Sequence, residues 1–425
     1  MRVLMFGWEF PPHISGGLGT ACFGLTRGLS LADMDILFVV PKAFGDEDQG
    51  IAQIIGAGDV PIRRKKIIYR DTNREMHYIE AGNQLIPYRN YDNFEFFSSK
   101  VTKDWDGIQE TVMEGVYHFE AGYGNDLYLH VENYTVVAAQ IAANHQFDVI
   151  HAHDWLTYMA GVNAKKVSGK PLIVHLHATE FDRSGKHINQ HVYNIEKTGM
   201  LEADLVIAVS NFTRNIAIEK YGIPAHKVIT VYNAVEPLEA EKEVFPRSLD
   251  DKIVTFLGRI TLQKGPEYFI EAAYEVLQRM SNVRFVMAGS GDLLNRMVQR
   301  VAELGISNRF HFTGFLKGKD VDKMFSMSDV YVMPSVSEPF GISPLEAMRS
   351  HVPVIISKQS GVSEVLKYAI KVDFWDIKST ADAIYGLLKY EGLPNMFKKY
   401  GKEEVDSFKW ENAALEVKKA YEAIC

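Results

Sequence analysis

The sequence predicts an α/β protein built from two lobes, each with a parallel sheet. The chain has 425 residues, enough for two domains, and 47% of them are apolar. Short apolar runs rich in Val and Ile alternate with helical segments in both halves, which is typical of strands buried between helix layers. The charged, proline-containing segment EPLEAEKEVFPRSLDDK separates the halves and predicts a linker.

The first lobe is predicted to span residues 1–235. It opens with a strand (RVLMFGW), a glycine loop (SGGLGT), a helix (ACFGLTRGLSLA) and a strand (DILFVVP), which together form a βαβ unit. Residues 44–134 are rich in alternating aromatic and polar side chains, and we interpret them as an irregular insertion that forms one wall of a cleft. A helix at VVAAQIAANH and the strands FDVIHAH, PLIVHLHA, ADLVIAVS and KVITVYNAV complete the lobe.

The second lobe is predicted to span residues 250–407. Its strands are KIVTFLG, VRFVMAG, RFHFTGF, DVYVMPS and VPVIIS. The segments PEYFIEAAYEVLQRM and DLLNRMVQRVAELG between them have apolar residues at i, i+3 and i+4, the pattern of helices that cover a sheet. Two lobes of one class predict a cleft between them.

Composition argues against several classes of function. The net charge of −8 lacks the basic footprint of a nucleic-acid-binding protein. The longest basic run, Arg63 to Lys66, is interpreted as a solvated edge strand and not as a membrane patch. No apolar run reaches the roughly 20 residues of a membrane span, and the N-terminus has no signal-peptide pattern. Cys22 and Cys425 lie at opposite ends, which predicts no disulfide framework and fits a reducing cytoplasm.

Two glutamates in the segment SEPFGISPLEAM predict a sugar-nucleotide site. Glu338 follows a predicted strand, and Glu346 lies on the next predicted helix. Between them, Phe340, Gly341 and Ile342 offer backbone N–H groups at a helix N-terminus, where phosphates and electron-rich hydroxyls bind. The carboxylates would accept hydrogen bonds from sugar hydroxyls. The alternative is a pair of solvated glutamates.

Two cations in FLGRITLQKGPEYF predict a site for a diphosphate. Arg259 and Lys264 lie in one loop between a strand and a helix. Arginine makes forked contacts with phosphate, lysine acts as a point charge, and the helix N-terminus supplies further donors. Ligands of open α/β sheets bind at the carboxyl ends of strands, which favours this interpretation over ordinary loop cations.

The glycines of HISGGLGT stand between the first strand and helix. Gly16 and Gly17 would let the backbone approach a donor phosphate or sugar closely. Cys22 stands where a dinucleotide-binding motif needs glycine, so an NAD or FAD site is disfavoured. A tight turn alone is the alternative explanation.

The segments DVIHAHDW and LIVHLHATEF contain two pairs of histidines, His151, His153, His175 and His177. No HExxH motif or further cysteine ligand accompanies them, and the two D-x-D strings are interpreted as surface turns, so no metal is predicted. We expect one histidine of each pair to pack in the sheet. His177 would line the cleft with the loop at Asp154 and Trp155, which are acceptor-side candidates.

In order, the motifs SGGLGT, HAHDW, HATEF, AVSNFT, VYNAVE, FLGRITLQKG, AGSGD and SEPFGISPLEA resemble the retaining glycosyltransferases of the GT-B fold, especially family 4 and the glycogen and starch synthases. Only residues 44–134 go unmatched. The resemblance implies two Rossmann-like lobes facing across a cleft and a last helix, residues 408–425, that crosses back to the first lobe. It implies that no metal or other cofactor is required.

The resemblance also implies roles for individual residues. Arg259 and Lys264 would hold the donor diphosphate, while Glu338 would contact the donor sugar near the reacting centre. Glu346 would bind the ribose hydroxyls, and His177 the sugar hydroxymethyl group.

The expected reaction is transfer of glucose from UDP-glucose to an α-1,4-glucan. ADP-glucose-dependent synthases carry a lysine where this chain has Ile14 and tend to have an aromatic residue where it has Glu346, and both differences favour UDP-glucose. The alternatives are a family 4 enzyme, such as a mannosyltransferase, with a lipid-linked or small cell-envelope acceptor, and a sugar-binding protein without turnover. The sequence leaves the oligomeric state open.

Overall fold

The structure is a computed structural model. It describes residues 1–14, 16–72, 74–82, 84–87, 93–105, 107–120, 122–124, 126–185, 187–237 and 250–425. Most of the predicted linker, residues 238–249, lies outside the described residues.

The strands are β1 (Arg2–Phe6), β2 (Asp35–Val40), β3 (Gln53–Gly56), β4 (Ile62–Tyr69), β5 (Arg74–Ala81), β6 (Gln84–Pro87), β7 (Phe94–Trp105), β8 (Ile108–Tyr117), β9 (Val149–His153), β10 (Leu172–Leu176), β11 (Leu205–Ala208), β12 (Val228–Thr230), β13 (Lys252–Leu257), β14 (Val283–Ala288), β15 (Phe310–Gly314), β16 (Val330–Met333), β17 (Val354–Ser357) and β18 (Ile370–Val372).

The helices are α1 (Gly17–Leu31), α2 (Leu127–Asn144), α3 (Trp155–Ser168), α4 (Glu180–Ser184), α5 (Gln190–Glu202), α6 (Asn211–Tyr221), α7 (Pro266–Leu277), α8 (Leu294–Glu303), α9 (Lys319–Met327), α10 (Ser343–Arg349), α11 (Ile377–Lys389), α12 (Gly392–Val405) and α13 (Trp410–Ile424).

The two predicted parallel sheets are confirmed. The first has the strand order β12-β11-β10-β9-β1-β2-β3, and the second has the order β15-β14-β13-β16-β17-β18. All neighbouring strands within each of these sheets are parallel. Strands such as β1, β9 and β10 are almost wholly buried because helices cover both faces. Loops at the carboxyl ends of the strands therefore carry the exposed chemistry of each lobe.

The insertion over residues 44–134 was expected to be irregular, and this was wrong, because most of its described residues form strands and the start of a helix. β3 extends the first sheet, and β4 to β8 form an antiparallel sheet of order β6-β5-β4-β8-β7. α2 begins at Leu127, earlier than predicted, and packs against β5. Aromatic and charged side chains occur on both faces of the antiparallel strands, which hides their alternation in the sequence.

The basic run was predicted to lie on an edge strand, and this was wrong. It lies in β4, the central strand of this antiparallel sheet. Arg64 is only 2% exposed. Its guanidinium carbon lies 3.8 Å from the ring centroid of Phe94, and it donates a hydrogen bond to the Tyr117 hydroxyl. The cation is therefore part of the packing between the sheet and the first lobe.

The last helix crosses back to the first lobe, as predicted. α13 packs against α1, where Trp410 lies over Gly24 and Ala414 approaches Gly28. A Cβ atom at Gly24 would come within 2.2 Å of the Trp410 ring, so only glycine allows this approach. Near the crossing, the Val235 N–H donates to the Phe408 carbonyl at 3.3 Å, so the two connections between the lobes run side by side.

Within the described residues, the helices are either too short or too polar to cross a bilayer.

Candidate active site

The cleft side of the second lobe brings the predicted lysine and glutamate together. Lys264 Nζ lies 2.5 Å from Glu338 Oε2, and Ser335 Oγ donates to the same oxygen at 3.1 Å. Glu338 is only 6% exposed. The loops after β13 and β16 can approach because position 265 is glycine: a Cβ atom there would lie 2.2 Å from the Pro334 carbonyl oxygen. Two residues far apart in sequence thus form one partly buried ion pair.

Arg259 lies in the same loop as Lys264 but differs from it in its contacts. Its side chain is exposed and has no ion pair or hydrogen bond within the described part of the chain. The loop position is fixed by the backbone, since Ile260 N–H donates to Ser290 O at 2.9 Å. The second lobe therefore offers one cation engaged by Glu338 and one without a partner, at the edge where ligands of such sheets bind.

Glu346 lies in the first turn of α10 and is half-buried. Burial raises the pKa of its carboxyl group above the usual range, although Arg349 acts in the opposite direction. The predicted backbone donors lie just before this helix. Gly341 has a φ of 99°, which favours glycine, and the N–H groups of Gly341 and Ile342 make no hydrogen bond to the described residues.

In the first lobe, Asp154 follows β9 and caps α3. Its φ of 63° and ψ of 168° are a conformation that L-residues rarely adopt. Its carboxylate accepts from the Trp155 N–H at 2.8 Å and from Arg183 Nη2 at 2.9 and 3.1 Å. The Trp155 side chain is only 7% exposed and packs in the core of the lobe. Of the two acceptor-side candidates, Asp154 therefore carries the polar group at the end of β9.

Arg183 connects Asp154 to a second buried carboxylate. Its Nη1 donates to Glu196 Oε1 at 2.7 Å, and Glu196 also accepts from the Tyr221 hydroxyl and from the Glu180 N–H at 3.1 Å. Glu196 is fully buried, and burial raises its pKa to about 7 although Arg183 lowers it. This network neutralises Asp154 from behind and fixes its orientation.

The four histidines form a stacked array at the ends of β9 and β10, with His151 over His153 and His175 over His177. His151, His153 and His175 are buried. One packed histidine per pair was expected, and the pair of β9 has two. His153 Nδ1 lies 3.0 Å from His177 Nε2, and His151 Nδ1 contacts the Tyr421 hydroxyl of α13 at 2.5 Å. Burial lowers the pKa of His177 to about 4, so its ring is neutral at pH 7.

Cys22, His153 and His177 have possible ligand atoms within 4.8 Å of one another. Burial and the carboxylates of Asp154 and Glu9 raise the pKa of the Cys22 thiol, which favours the protonated, non-ligating form. The histidines are engaged mainly with one another. The sequence prediction that no metal is needed remains a prediction.

The glycines before α1 are open to the cleft. A Cβ atom at Gly16 or Gly17 would meet nothing within 4 Å, and the N-terminus of α1 has no side-chain cap. Ile14 packs at Gly19, where a Cβ atom would lie 2.5 Å from Ile14 Cγ2. The helix end is thus unobstructed, as a close approach by a ligand requires.

Several residues of the cleft were missed by the sequence analysis. Glu9 is buried after β1, and Tyr123 lies beside it at the end of the insertion. Burial and the carboxylates of Glu9 and Asp154 raise the pKa of the Tyr123 phenol, while Arg259 of the other lobe lowers it. Glu9 follows a strand end as Asp154 does, a signal that could have identified it. Tyr123 and Arg183 had no comparable signal, because their partners are distant in sequence.

Two family models match the chain in succession. The glycosyltransferase family 4 model matches residues 108–237, and the model for glycosyl transferases group 1 matches residues 238–404. An uncharacterised glycosyltransferase of Bacillus subtilis, YqgM, is 30% identical over 65% of this chain and 78% of its own length. The chain belongs to the family 4 glycosyltransferases. An uncharacterised glycosyltransferase of Methanocaldococcus jannaschii is 28% identical over 99% of this chain and 98% of its own.

Other similar proteins cover this glycosyltransferase from end to end. A glycogen synthase of Mycobacterium tuberculosis is 21% identical over 99% of this chain and 94% of its own. Sucrose-phosphate synthase from Thermosynechococcus elongatus has a similar structure, with a TM-score of 0.71, 17% identity and coverage of 99% and 98%. HepE of Anabaena, in complex with UDP-glucose, has a TM-score of 0.66, 16% identity and full coverage of both chains. These likenesses establish the GT-B fold.

Proposed function

We propose that this glycosyltransferase transfers glucose from UDP-glucose to the non-reducing end of an α-1,4-glucan, with retention of configuration. The observation that carries the proposal is the second-lobe site, where the unpartnered Arg259 lies in one loop with Lys264, which contacts Glu338. Binding of a nucleotide sugar requires both cations and a carboxylate. Its diphosphate requires cations, and its sugar requires a carboxylate that orients hydroxyl groups.

The cations act on the leaving group. As the bond between the anomeric carbon and the phosphate oxygen breaks, negative charge grows on the diphosphate. Arg259 makes forked contacts with it, and Lys264 shares its three donors between the phosphate and Glu338. Preorganised charge of this kind contributes roughly 3 to 4 kcal/mol to lowering the barrier. With two cations available, the reaction needs no metal ion or other cofactor.

Glu338 stabilises the positive character of the anomeric carbon. Two first-lobe carboxylates lie at the cleft, and both are engaged: Asp154 is paired with Arg183, and Glu9 is buried and hydrogen-bonded to the Tyr123 phenol. Departure and attack on one face of the sugar therefore fit better than a covalent double displacement. The acceptor hydroxyl oxygen bonds to the anomeric carbon, the bond to phosphate breaks, and the hydroxyl proton moves to the departing phosphate oxygen.

The remaining site residues bind and orient the donor. His177 is neutral and can exchange a hydrogen bond with the sugar hydroxymethyl group. Glu346 accepts from the ribose hydroxyls. Further donors for oxygen atoms of the ligand come from the N–H groups near Phe340, Gly341 and Ile342 of the second lobe. The open helix end at Gly16 and Gly17 provides others from the first lobe.

Both donor and acceptor are inferred from this site and from similar proteins. UDP-glucose is favoured because Ile14 replaces the lysine of ADP-glucose-dependent synthases, and because the similar structure of HepE was determined with UDP-glucose. The glucan acceptor is favoured by full-length similarity to a glycogen synthase. Two free cysteines fit a reducing compartment, so we place the reaction in the cytoplasm.

The test is release of free nucleoside diphosphate from UDP-, ADP- and GDP-sugars, each with and without glycogen. Glycogen-dependent UDP release from UDP-glucose supports the proposal. Release only from ADP-glucose would overturn the donor. Turnover of GDP-mannose that is indifferent to glycogen would instead support a cell-envelope transferase, and binding without any turnover would support a sugar-binding protein.

A further inference from the structure

The loop that carries Glu338 is held from the opposite lobe on both sides of that residue. On one side, Ser337 Oγ donates to Asp182 Oδ1 of α4 at 2.5 Å. On the other, the Pro339 carbonyl accepts from Ser210 Oγ at 2.5 Å, and Thr213 Oγ1 lies 3.2 Å from the same oxygen. These bonds, which we call the Glu338 anchors, join the first lobe to the loop of the second.

The first-lobe partners are themselves fixed. Asp182 is 2% exposed, and its other oxygen, Oδ2, accepts from the Thr179 N–H at 2.8 Å in the capping box of α4. Ser210 is the N-cap of α6 and accepts from the Thr213 N–H at 3.0 Å. Asp182 and Ser210 are therefore buried residues that make further hydrogen bonds within the first lobe, and their positions are well defined.

The two lobes pack closely around the hydrogen bond between Ser210 and the Pro339 carbonyl. A Cβ atom at Gly361 would lie 2.2 Å from the Pro339 carbonyl oxygen and 2.4 Å from Ser210 Cβ. Next to it, Glu364 of the second lobe accepts from the N–H groups of Asn211 and Phe212 at the start of α6, at 2.9 and 2.6 Å. The lobes thus meet in one defined arrangement at the residues that flank Glu338.

We propose that Asp182, Ser210 and Thr213 are positioning residues for glycosyl transfer, which hold the Glu338 carboxylate in register with Lys264 when the lobes are together. None of the three touches the reacting atoms. The inference rests on the proposed role of Glu338. A displacement of a reacting group by about 1 Å can cost on the order of 100-fold in rate, so anchors of this kind affect turnover more than binding.

The test uses the full chain with Thr213→Val and Ser337→Ala combined, which removes one hydroxyl from each anchor and keeps the Ser210 cap. We expect kcat to fall at least about tenfold. The dissociation constant for UDP should stay within about twofold, because Arg259, Lys264 and Glu346 all lie on the second lobe. The matched control is Ser168→Ala with Thr380→Val, which removes two hydroxyls outside the cleft that donate to backbone carbonyls at 2.7 and 3.0 Å.

Gly361→Ala provides an independent probe. Its added methyl group would push Pro339 and Ser210 apart without removing a hydrogen-bonding group. It should also lower kcat while UDP binding persists. If turnover is unchanged in the double variant and in Gly361→Ala but is impaired in Glu338→Gln, the positioning role of the anchors is wrong. The role of Glu338 then stands. Normal turnover in Glu338→Gln overturns the role of Glu338 and the anchors with it. Equal losses in the double variant and its control would assign the effect to general stability and also overturn the inference.

Discussion

Two arginines at the cleft edges of the two lobes have opposite environments. Arg183 of the first lobe is half-buried and donates to Asp154 and Glu196, so its charge is balanced within the lobe. Arg259 of the second lobe is exposed and has no ion pair with the described residues. One arginine stabilises the fold of the cleft wall, and the other is available to a ligand.

Under the proposed function, this difference would give the two lobes different parts in the transfer reaction. In that proposal the first lobe presents the fixed carboxylate of Asp154 to a neutral sugar acceptor and the neutral imidazole of His177 to the donor sugar. The second lobe keeps a cation free and pairs another with Glu338, so it suits an anionic donor. Substitutions on the two sides should therefore differ in whether they affect stability or activity.

The largest effect is expected for Arg183→Met. It leaves Asp154 and Glu196 in the interior without their cation, and breaking a buried ion pair in this way costs about 3 to 5 kcal/mol of unfolding free energy. Urea denaturation measures it. The control is Arg279→Met, which removes an exposed pair with Asp382 and should cost less than about 1 kcal/mol. Equal losses in both variants would contradict the comparison.

Lys264→Ala is expected to lower kcat by about 10² to 10³, or roughly 3 to 4 kcal/mol, because the charge on the leaving diphosphate loses a preorganised cation. Steady-state kinetics with saturating donor measure the change. Lys358→Ala in the same lobe removes an exposed lysine paired with Asp373 and should leave kcat unaltered. An unchanged kcat in Lys264→Ala would exclude the leaving-group role.

Arg259→Ala should weaken UDP binding by about 1.5 to 3 kcal/mol, the usual size of a charge-assisted hydrogen bond, without loss of stability. Calorimetric titration with UDP measures the affinity, and thermal unfolding measures the stability. Arg296→Ala is the control, since that arginine is also exposed but already pairs with a carboxylate, that of Glu267. Retained UDP affinity in Arg259→Ala would remove the contrast with Arg183.

The last prediction concerns pH, and its effect is spread over the interval between two pKa values. The folded-state pKa of Glu196 is raised to about 7 from its ordinary 4.5, so its stabilising contribution is complete below pH 4.5 and is lost as the pH rises through about 7. The slope is at most roughly 1.4 kcal/mol per pH unit. Glu196→Gln should remove this loss, and the difference between the two stability profiles isolates it from Asp154 and the histidines. Parallel profiles would show that folding does not raise the pKa of Glu196.

Much of the fold was predictable because its signals are local. Buried strands such as β1, β2 and β17 are nearly continuous apolar runs, and helices such as α7 have a clear apolar face. The antiparallel sheet was missed because its strands are largely exposed or half-buried, so they lack the continuous apolar runs of the parallel strands. Its two mixed faces, with Arg64 buried among aromatic rings, give no period that the sequence alone reveals.

By itself, the sequence determined the two-lobed class and the residue types of the proposed donor site, since glycines, cations and glutamates follow the ends of predicted strands. Only the tertiary structure decided their partners. Lys264 meets Glu338 across 74 positions, Arg183 meets Asp154 across 29, and Ser337 meets Asp182 across 155. Charges are paired or left free by contacts between distant segments, and local patterns contain no information on which segments meet.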